Sequence, residues 1–503
     1  MSQRPSAARR TPLVPMALAL AVPLALPTLL APEARGDTLC LKDGRVIDGK
    51  PMTRENDAIR VKFEHGDVVV PNAMILDAML DADAADAAKS AAMKKRLADR
   101  KAYAEEIKAL SEWRNRKKES KAHFDFEYTV PPHIYAGFRD RMEAYFIEFQ
   151  KKWAIAQPKD GRLLVCFYGD SEAFHQVAAA PRGVIGYFKF VRPMELDIYY
   201  DRLDPELTED VMFHEANHYL QKLLNVDVSM PHFPGESLAE YYGASSWDDK
   251  AKKLTVGLVQ EGRLAEVMTD VAGGDMMPLE KMISTDRMYE HYTWGWSLVH
   301  FLMNRDKYQP KFLRFVKALA NGKDVKRTIV NFGNDRLGIV APEEVLRVFM
   351  KSLDLKDKAA LKPLEKEWHD YVTKELKADS VRGLEQAGLQ VLGTYPPRPL
   401  RARMLLEKAV AGGSKSSHVV ASLAEMVASG SGDPDDKSDL DRGIDLMKKA
   451  IELDPLVADN YATLGDLLAA KGKKDESKKL LELARELDPD DPFLELKLRR
   501  GQR

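Results

Sequence analysis

The spacing of hydrophobic and polar positions divides the chain into four stretches after its first 36 residues. Residues 37–80 alternate in short β-branched runs, a pattern that indicates strands. Residues 81–122 are rich in Ala, Lys, Arg and Glu and lack Gly and Pro, which favours a long exposed helix acting as a charged linker. Residues 123–378 mix strand-like and helical runs, and helices dominate residues 390–503. The chain is therefore predicted to be multidomain and mainly α-helical.

Turn signals separate the strand-like runs within residues 37–80. Asp43-Gly44 and His65-Gly66 separate β-branched runs, and such pairs are typical of β-hairpins. We therefore predict a small SH3-like β-barrel over residues 37–80. The ordinary role of such a barrel is docking or spacing rather than catalysis.

The mixed stretch contains three strand-like runs and two helical ones. The strand-like runs are FDFEYTV from Phe124, LLVCFY from Leu163 and MELDIYY from Met194. The helical runs extend from Ile134 to Trp153 and from Ser171 to Ala179. Together they predict an α+β unit.

The C-terminal stretch contains an internal repeat. KKAIELDP ends at Pro455 and LELARELDP ends 34 residues later at Pro489, which is the period of tetratricopeptide repeats. The segment from Asn460 to Ala484 resembles one such unit, and a weaker unit is predicted from Leu400 to Gly430, with RMLLEKAV as its second helix. The resemblance implies that residues 390–503 bind a protein partner.

The first 36 residues carry the order of an export signal, which is basic, then apolar, then small. Arginines precede an apolar run from Leu13 to Ala31, and Ala34-Arg35-Gly36 provides small residues before Asp37. We predict a signal peptide over residues 1–36 and an exported protein, periplasmic or secreted, with Sec and twin-arginine export both open. Prolines interrupt the run, and no other segment reaches about 18 uncharged apolar residues, so no membrane span is expected after cleavage.

Composition narrows the function classes. The chain has 503 residues, of which 45% are hydrophobic and 31% charged, which fits a soluble globular protein and excludes a collagenous or polytopic membrane protein. Its 76 Lys and Arg nearly balance its 78 Asp and Glu, so net charge gives no reason to expect nucleic acid as a partner. Only Cys40 and Cys166 are present, which excludes a Cys-based zinc ribbon and leaves open one disulfide between them.

The segment HEANH carries the candidate chemistry, with His214, Glu215 and His218. Residues four apart lie on one face of a helix, so both imidazoles reach one metal ion while Glu215 projects beside it; this is the zinc peptidase signature. Asp204-Pro205-Glu206 offers an N-cap, a proline and an acid, which predicts that the helix begins there. Its apolar neighbours predict burial, where polar groups need partners, so zinc ligation is favoured over a purely structural role.

A zinc peptidase needs a third protein ligand and leaves the fourth position for water. Glu236 lies 18 residues beyond His218, in PGESLAEYYG, and Glu240 follows four residues later. We predict that Glu236 binds zinc and that Glu240 accepts a hydrogen bond from a ligand histidine. The alternative is that one or both are solvated surface acids.

HEANH followed by ESLAEYY resembles the gluzincin metallopeptidases, and the whole layout resembles exported bacterial proteins that join such a domain to tetratricopeptide repeats. The resemblance covers roughly residues 124–375 and implies a metallopeptidase domain, which we place at residues 123–378. Here Ser237 follows Glu236, where that family commonly has Gly. The resemblance also implies that MELDIYY forms the strand that edges the cleft, where an extended peptide adds as a further strand.

Gluzincin-like enzymes also place a phenol or an imidazole where it stabilises the oxyanion. The best positional match is Tyr292, with Tyr289 and His291 as runners-up, and the alternative is a structural tyrosine in a Trp-rich helix. His232, four residues before Glu236, is a further candidate to line the cleft.

Two hypotheses for the function follow. The first is zinc-dependent hydrolysis of a peptide or protein substrate, with Zn²⁺ held by His214, His218 and Glu236, Glu215 as general base and Tyr292 assisting. The second is a non-catalytic exported scaffold that binds protein partners through its repeats and keeps a vestigial or structural metal site. A cell-envelope hydrolase that cuts peptidoglycan cross-links would share the metal of the first hypothesis and differ only in substrate.

Overall fold

The computed structural model describes most of the chain beyond the predicted signal peptide, residues 1–36, which lie outside the described residues. The described residues are 37–81, 83, 91–157, 162–181, 183–333, 335–377, 380–393, 398–430, 438–489, 491, 494, 497 and 498. Of the helices in these ranges, none is both long and apolar enough to cross a membrane. Cys40 and Cys166 are buried free thiols, so they form no disulfide.

Residues 37–81, here called the N-terminal β unit, contain six short strands. These are β1 (Thr38–Leu41), β2 (Val46–Asp48), β3 (Met52–Arg54), β4 (Ala58–Lys62), β5 (Asp67–Pro71) and β6 (Ile75–Met79). They form two antiparallel sheets in the orders β2-β1-β6 and β3-β4-β5. No strand pairing joins the two sheets within residues 37–81, so the strands of the predicted SH3-like barrel do not form a closed barrel there. Pro51, which has no N–H to continue a ladder, lies between β2 and β3.

Helix α1 (Ala91–Leu110) follows, but the predicted linker helix does not continue to residue 122. Residues 117–120 instead form strand β7 (Lys117–Ser120), which pairs antiparallel with β8 (Phe124–Tyr128). The residues of β7 are charged or polar and give no strand signal of their own. Pairing with the half-buried β8 decides their conformation, a tertiary effect that overrides local propensity.

The central region contains a five-stranded mixed sheet in the order β10-β11-β9-β8-β7. Its other strands are β9 (Leu163–Tyr168), β10 (Gly186–Lys189) and β11 (Glu195–Tyr199). β8, β9 and β11 run parallel, whereas β7 and β10 are antiparallel edge strands. MELDIYY therefore forms β11 inside the sheet, and the expectation that it edges the cleft is wrong. The edge is β10, which has only four residues and begins with a glycine, too short for an alternating pattern to reveal.

Helices cover both faces of this sheet. On one face, α2 (Pro132–Trp153) and α4 (Pro205–Lys222) bury an aromatic core in which Phe146 meets Phe124 edge-on, with ring centroids 6.0 Å apart. On the other face, α3 (Ser171–Val177) packs beside the stacked rings of Trp113 and Tyr168, whose centroids are 4.0 Å apart. Helix α5 (His232–Gly243) packs against α4. Helix α4 also contacts the edge strand β10, so the packing places the consecutive helices α4 and α5 together beside this edge.

The rest of the central region adds two hairpins and a set of helices to the same buried core. The elements are β12 (Ser246–Asp248), β13 (Lys253–Thr255), α6 (Glu261–Gly273), α7 (Leu279–Ser284), α8 (Met288–Glu290), α9 (Trp296–Met303), α10 (Gln309–Asn321), β14 (Thr328–Phe332), β15 (Asp335–Ile339), α11 (Pro342–Ser352) and α12 (Leu361–Lys374). A π-helical turn, His291–Gly295, joins α8 to α9. Turns of this kind occur frequently at functional sites.

Six helices then follow as three tetratricopeptide-like pairs. The pairs are α13 (Val381–Leu392) with α14 (Pro399–Ala411), α15 (Ser417–Ser429) with α16 (Leu440–Leu453), and α17 (Ala458–Ala470) with α18 (Lys474–Leu487). The last pair is the repeat unit predicted most clearly. RMLLEKAV lies in α14 and is a second helix, as predicted, but the unit predicted from Leu400 to Gly430 takes in α14 and α15, which belong to different pairs. The partner of α14, α13, begins before residue 390, the predicted start of the repeats. Helix α13 also packs on α6, which joins the pairs to the central region.

The N-terminal β unit packs on the last helix pair, so the first and last parts of the described chain share one hydrophobic cluster. A Cβ at Gly66 would lie 3.1 Å from Leu483 Cδ2. Arg45 Nη2 lies 3.1 Å from Asp454 Oδ2, and Glu486 accepts hydrogen bonds from two backbone N–H groups of the β5 hairpin turn. The β unit therefore covers apolar surface that the terminal helix pair would otherwise leave in water.

Candidate metal site

Helix α4 begins as the sequence predicts. Asp204 is the N-cap, and its Oδ1 accepts a hydrogen bond from the N–H of Leu207 at 3.0 Å, with Pro205 at the first helical position. The helix then carries His214 and His218 one turn apart on one face, with ring centroids separated by 5.1 Å. The predicted start of the helix and the shared face of the two histidines are both confirmed.

Glu236 on α5 completes a three-residue cluster, here called the candidate metal site. Its Oε2 lies 3.4 Å from Nε2 of His214 and 3.4 Å from Nε2 of His218. These separations exceed the roughly 2.7–3.2 Å of ordinary hydrogen bonds. Zinc bonds of about 2.0–2.1 Å in a tetrahedron place neighbouring ligand atoms roughly 3.3–3.4 Å apart. All three side chains are half-buried and offer their ligand atoms to one point, so they fit a single tetrahedral metal ion.

The charges around this point favour a cation. Burial alone would raise the pKa of Glu236, but the imidazoles of His218 and His214 hold it well below its ordinary value. Burial would likewise lower the pKa of His214, yet the carboxylates of Glu236, Glu240 and Glu215 raise it to about 9. The three carboxylates thus favour positive charge at this point, and Arg263 already pairs with one of them, Glu240.

Glu215 lies beside the candidate metal site and is held by the edge strand. Its Oε2 accepts a hydrogen bond from the backbone N–H of Phe188 on β10 at 2.9 Å. Burial raises the pKa of its carboxyl group, against the opposing charges of His214 and His218. The hydrogen bond uses one carboxylate oxygen and fixes the orientation of the other.

Glu240 lies on the opposite side of His214 from Glu236. Its Oε1 is 3.5 Å from His214 Nδ1, which is longer than an ordinary hydrogen bond. The predicted hydrogen bond from a ligand histidine to Glu240 is therefore not formed. The stronger partner is Arg263 on α6, which donates from Nε to Oε2 at 3.0 Å and from Nη2 to Oε1 at 2.8 Å. Glu240 is thus a buried, paired carboxylate rather than a solvated surface acid.

Tyr292 is the one of the three oxyanion candidates that lines the cleft at the metal site. Its ring centroid lies 5.8 Å from that of His214, and the guanidinium of Arg263 lies 5.2 Å from its ring centroid. Burial, with the nearby carboxylates, raises the pKa of Tyr292 above its ordinary value, so the phenol keeps its proton. Tyr289 instead donates to Glu266, and His291 is fully buried with Nε2 3.1 Å from the carbonyl oxygen of Thr285.

His232 lines the same cleft without joining the cluster, since its Nδ1 is 4.0 Å from Glu236 Oε1 and its side chain is half exposed.

Ser237 occupies space that a glycine on another element leaves free. Its Oγ donates to the carbonyl oxygen of His291 at 3.1 Å, and a Cβ added at Gly295 would collide with that hydroxyl and lie 3.3 Å from the Cβ of Ser237. The serine that follows Glu236 is therefore accommodated by a residue without a side chain in the π-helical turn.

The sequence reasoning missed Arg263 and the edge strand β10. Arg263 lies 23 positions from Glu240 on a separate helix, and no spacing rule connects the two. The contribution of β10 at Phe188 is a backbone N–H, which every residue except proline carries, so no sequence signal identifies it.

No protein-family model matches the chain, and no curated protein matches it. Among solved structures, YrrB, described as a TPR protein with an unusual peptide-binding site, matches with a TM-score of 0.22 and 13% identity, over 46% of this chain and 97% of that one. Naa15/Naa10 bound to HypK-THB matches with a TM-score of 0.14 and 15% identity over 60% of this chain. This chain spans 52% of the length of that second structure. Both TM-scores lie below 0.5, so neither match establishes the fold.

Proposed function

We propose that this protein is a zinc-dependent peptidase. The observation that carries the proposal is the position of Glu236 Oε2, 3.4 Å from Nε2 of both His214 and His218, with Glu215 beside them. The three residues would hold Zn²⁺ and leave its fourth position open to the cleft.

The chain's own groups suit amide hydrolysis. His214, His218 and Glu236 would hold the zinc ion, which would supply an activated water as the nucleophile and polarisation of the substrate carbonyl. Glu215, oriented by the N–H of Phe188, is placed to take a proton from the attacking water and to return it to the leaving amine. Tyr292, which lines the same cleft, would supply an O–H donor to the oxygen on which negative charge develops.

The first test is elemental analysis of the purified protein, residues 37–503. We expect about one zinc per chain, lost in Glu236→Ala and in His218→Ala. His232→Ala is the matched control, because this histidine lines the same cleft but stands outside the cluster, and it should keep zinc. Loss of zinc in the control with retention in Glu236→Ala would overturn the assigned ligands.

The second test concerns chemistry. Cleavage of a broad peptide library should disappear with a chelator and return with zinc. Glu215→Gln should keep the metal and lower turnover by about 10²–10⁴-fold, since it removes the proton acceptor. A zinc-loaded Glu215→Gln variant with undiminished turnover would contradict the mechanism.

A second candidate function is an exported scaffold that binds protein partners, and the three helix pairs favour it. A helix pair presents a surface on which extended or helical segments of other proteins dock. A zinc-loaded protein with no turnover on the library, but with a specific partner retained on the immobilised full chain, would support this candidate.

Muropeptides included in the library would test hydrolysis of peptidoglycan cross-links. Cell fractionation would test the predicted export.

A further inference from the structure

We propose that the cleft at the candidate metal site selects peptide segments with large apolar side chains. This inference rests on the proposed peptidase function and specifies its substrate class. The cleft has a volume of about 370 Å³, and its non-ligand walls include five large apolar side chains. The apolar lining consists of Phe188 and Phe190 from the β10 edge, Val228 and Met230 from the segment before α5, and Met288 from α8.

Two of these side chains face water at the mouth of the cleft. Phe190 is 41% exposed and Met288 is 45% exposed, although both are large and hydrophobic. They lie on different elements, one after β10 and the other on α8, and both line the same cleft. Exposed apolar side chains that converge on one groove indicate a ligand-binding site more often than a surface that binds nothing.

The apolar wall continues beyond the metal site onto the hairpin β14-β15. Phe332 meets Phe190 edge-on, with ring centroids 5.3 Å apart and planes at 82°. Val330, two positions before Phe332 and therefore on the same face of β14, is 37% exposed. Phe190 therefore joins the metal cleft to a longer apolar surface, which suits several residues of an extended chain rather than one small ligand.

Two sets of hydrogen bonds, one to Arg192 and one to the segment before α5, hold this hairpin against the cleft. Asp335 accepts hydrogen bonds from the backbone N–H and Nε of Arg192, each at 2.7 Å. The N–H of Ser229 donates to the carbonyl oxygen of Gly338 at 3.1 Å, and the N–H of Gly338 donates to that of Asp227 at 2.8 Å. The wall is thus tied to both sides of the cleft.

The ionisable groups of the lining do not offer a matching site for charged side chains. Among the described residues that line the cleft, the acids Glu215 and Glu236 belong to the catalytic constellation itself. Lys222 is buried, and its Nζ turns to the carbonyl oxygens of Val226 and Val228, at 3.3 Å from each. His232 is the remaining ionisable group apart from the metal-site histidines and the tyrosines. Peptides with charged side chains, such as peptidoglycan stem peptides with their glutamate and diaminopimelate, would find few partners here.

The test separates binding from cleavage by using the zinc-loaded Glu215→Gln variant, which holds peptides without consuming them. Fluorescein-labelled, end-capped hexapeptides with Phe-Leu, Glu-Lys or the Ala-Glu-diaminopimelate sequence at their centre are compared by fluorescence anisotropy. The Phe-Leu peptide should bind about tenfold or more tightly than the other two. Adding Phe190→Ala or Met288→Ala should reduce that ratio by about threefold or more.

Leu203→Ala is the matched control, because Leu203 is 42% exposed, like Phe190, but does not line the cleft. It should leave the ratio unchanged. Equal affinity for all three peptides, no binding of any of them, or a ratio insensitive to Phe190→Ala and Met288→Ala would overturn the inference. If the wild type cleaves charged peptides as fast as apolar ones, hydrolysis stands and the apolar selection fails. If apolar peptides bind selectively but the wild type cleaves no peptide, the apolar selection stands and the proposed hydrolysis fails.

Discussion

Arg263 donates two hydrogen bonds, of 3.0 and 2.8 Å, to the carboxylate of Glu240, whose Oε1 lies 3.5 Å from Nδ1 of His214 in the candidate metal site. The side chains of the pair are only 15% and 7% exposed. A third nitrogen of the same guanidinium, Nη1, lies 3.3 Å from Oε1 of Gln390 on α13. Arg263 therefore joins three parts of the molecule: helices α4 and α5, which carry the candidate metal site, helix α6, and the first tetratricopeptide-like pair.

Removing one partner of the Arg263–Glu240 ion pair should destabilise the folded protein. Arg263→Met leaves a buried carboxylate without its main partner, and we expect the free energy of unfolding to fall by about 3–5 kcal/mol. Arg263→Met combined with Glu240→Gln should recover a large part of that loss, because the orphaned charge is gone. Urea unfolding measures both. Arg305→Met, which removes a more exposed ion pair with Glu375, is the control and should cost less than about 1 kcal/mol. A double variant no more stable than the single one would contradict the argument.

A side chain at position 295 should disturb the candidate metal site. Gly295→Ala collides with Ser237, which directly follows Glu236, so we expect zinc affinity to fall by about tenfold, measured by competition with a chelator. Ser237→Gly alone should have a small effect. The combination of Gly295→Ala with Ser237→Gly should restore affinity, since the serine is the group displaced. Independent, additive effects of the two changes would show that the contact is not the cause.

His300 should make stability fall in mild acid. It is buried, its Nδ1 lies 2.8 Å from the hydroxyl of Tyr371, and burial lowers its pKa from 6.5 to about 4. Between about pH 6.5 and pH 4 the unfolded chain binds a proton there and the folded chain does not. The free energy of unfolding therefore decreases as pH falls through this window, by about 3 kcal/mol in total. His300→Gln should flatten that part of the stability profile, and an unchanged slope by urea unfolding would count against the assignment.

A charge at the junction of the N-terminal β unit and the last helix pair should separate them. Leu483 is buried against Gly66, and Leu483→Asp places an unpaired carboxylate there, at an expected cost of about 2–4 kcal/mol. Limited proteolysis should then release the β unit faster, and any zinc bound at the candidate metal site should be retained because that site lies elsewhere. Leu392→Asp, at an exposed leucine on α13, is the control and should leave the rate of cutting as in the wild type.

Local patterns were enough to predict α4, the helix that carries two of the three residues of the candidate metal site. The cap at Asp204-Pro205 and the four-residue spacing of His214 and His218 act within one helix, so they can be read without knowing the rest of the fold. The 34-residue period likewise located α17 and α18, because each repeat folds mainly against its neighbours. The charged strand β7 and the short edge strand β10 escaped prediction, since pairing with other strands decides their conformation.

The sequence by itself determined which side chains are available for chemistry: two imidazoles on one helical face, a glutamate between them and further glutamates downstream. Only the tertiary structure decided that Glu236 brings one oxygen to 3.4 Å from both imidazoles, and that Glu240 pairs with Arg263. It also decided that β10, rather than β11, forms the edge from which Phe188 holds Glu215. The physical reason is that spacing along a helix is set by local backbone geometry, whereas distances between α4, α5, α6 and β10 are set by how their buried faces pack.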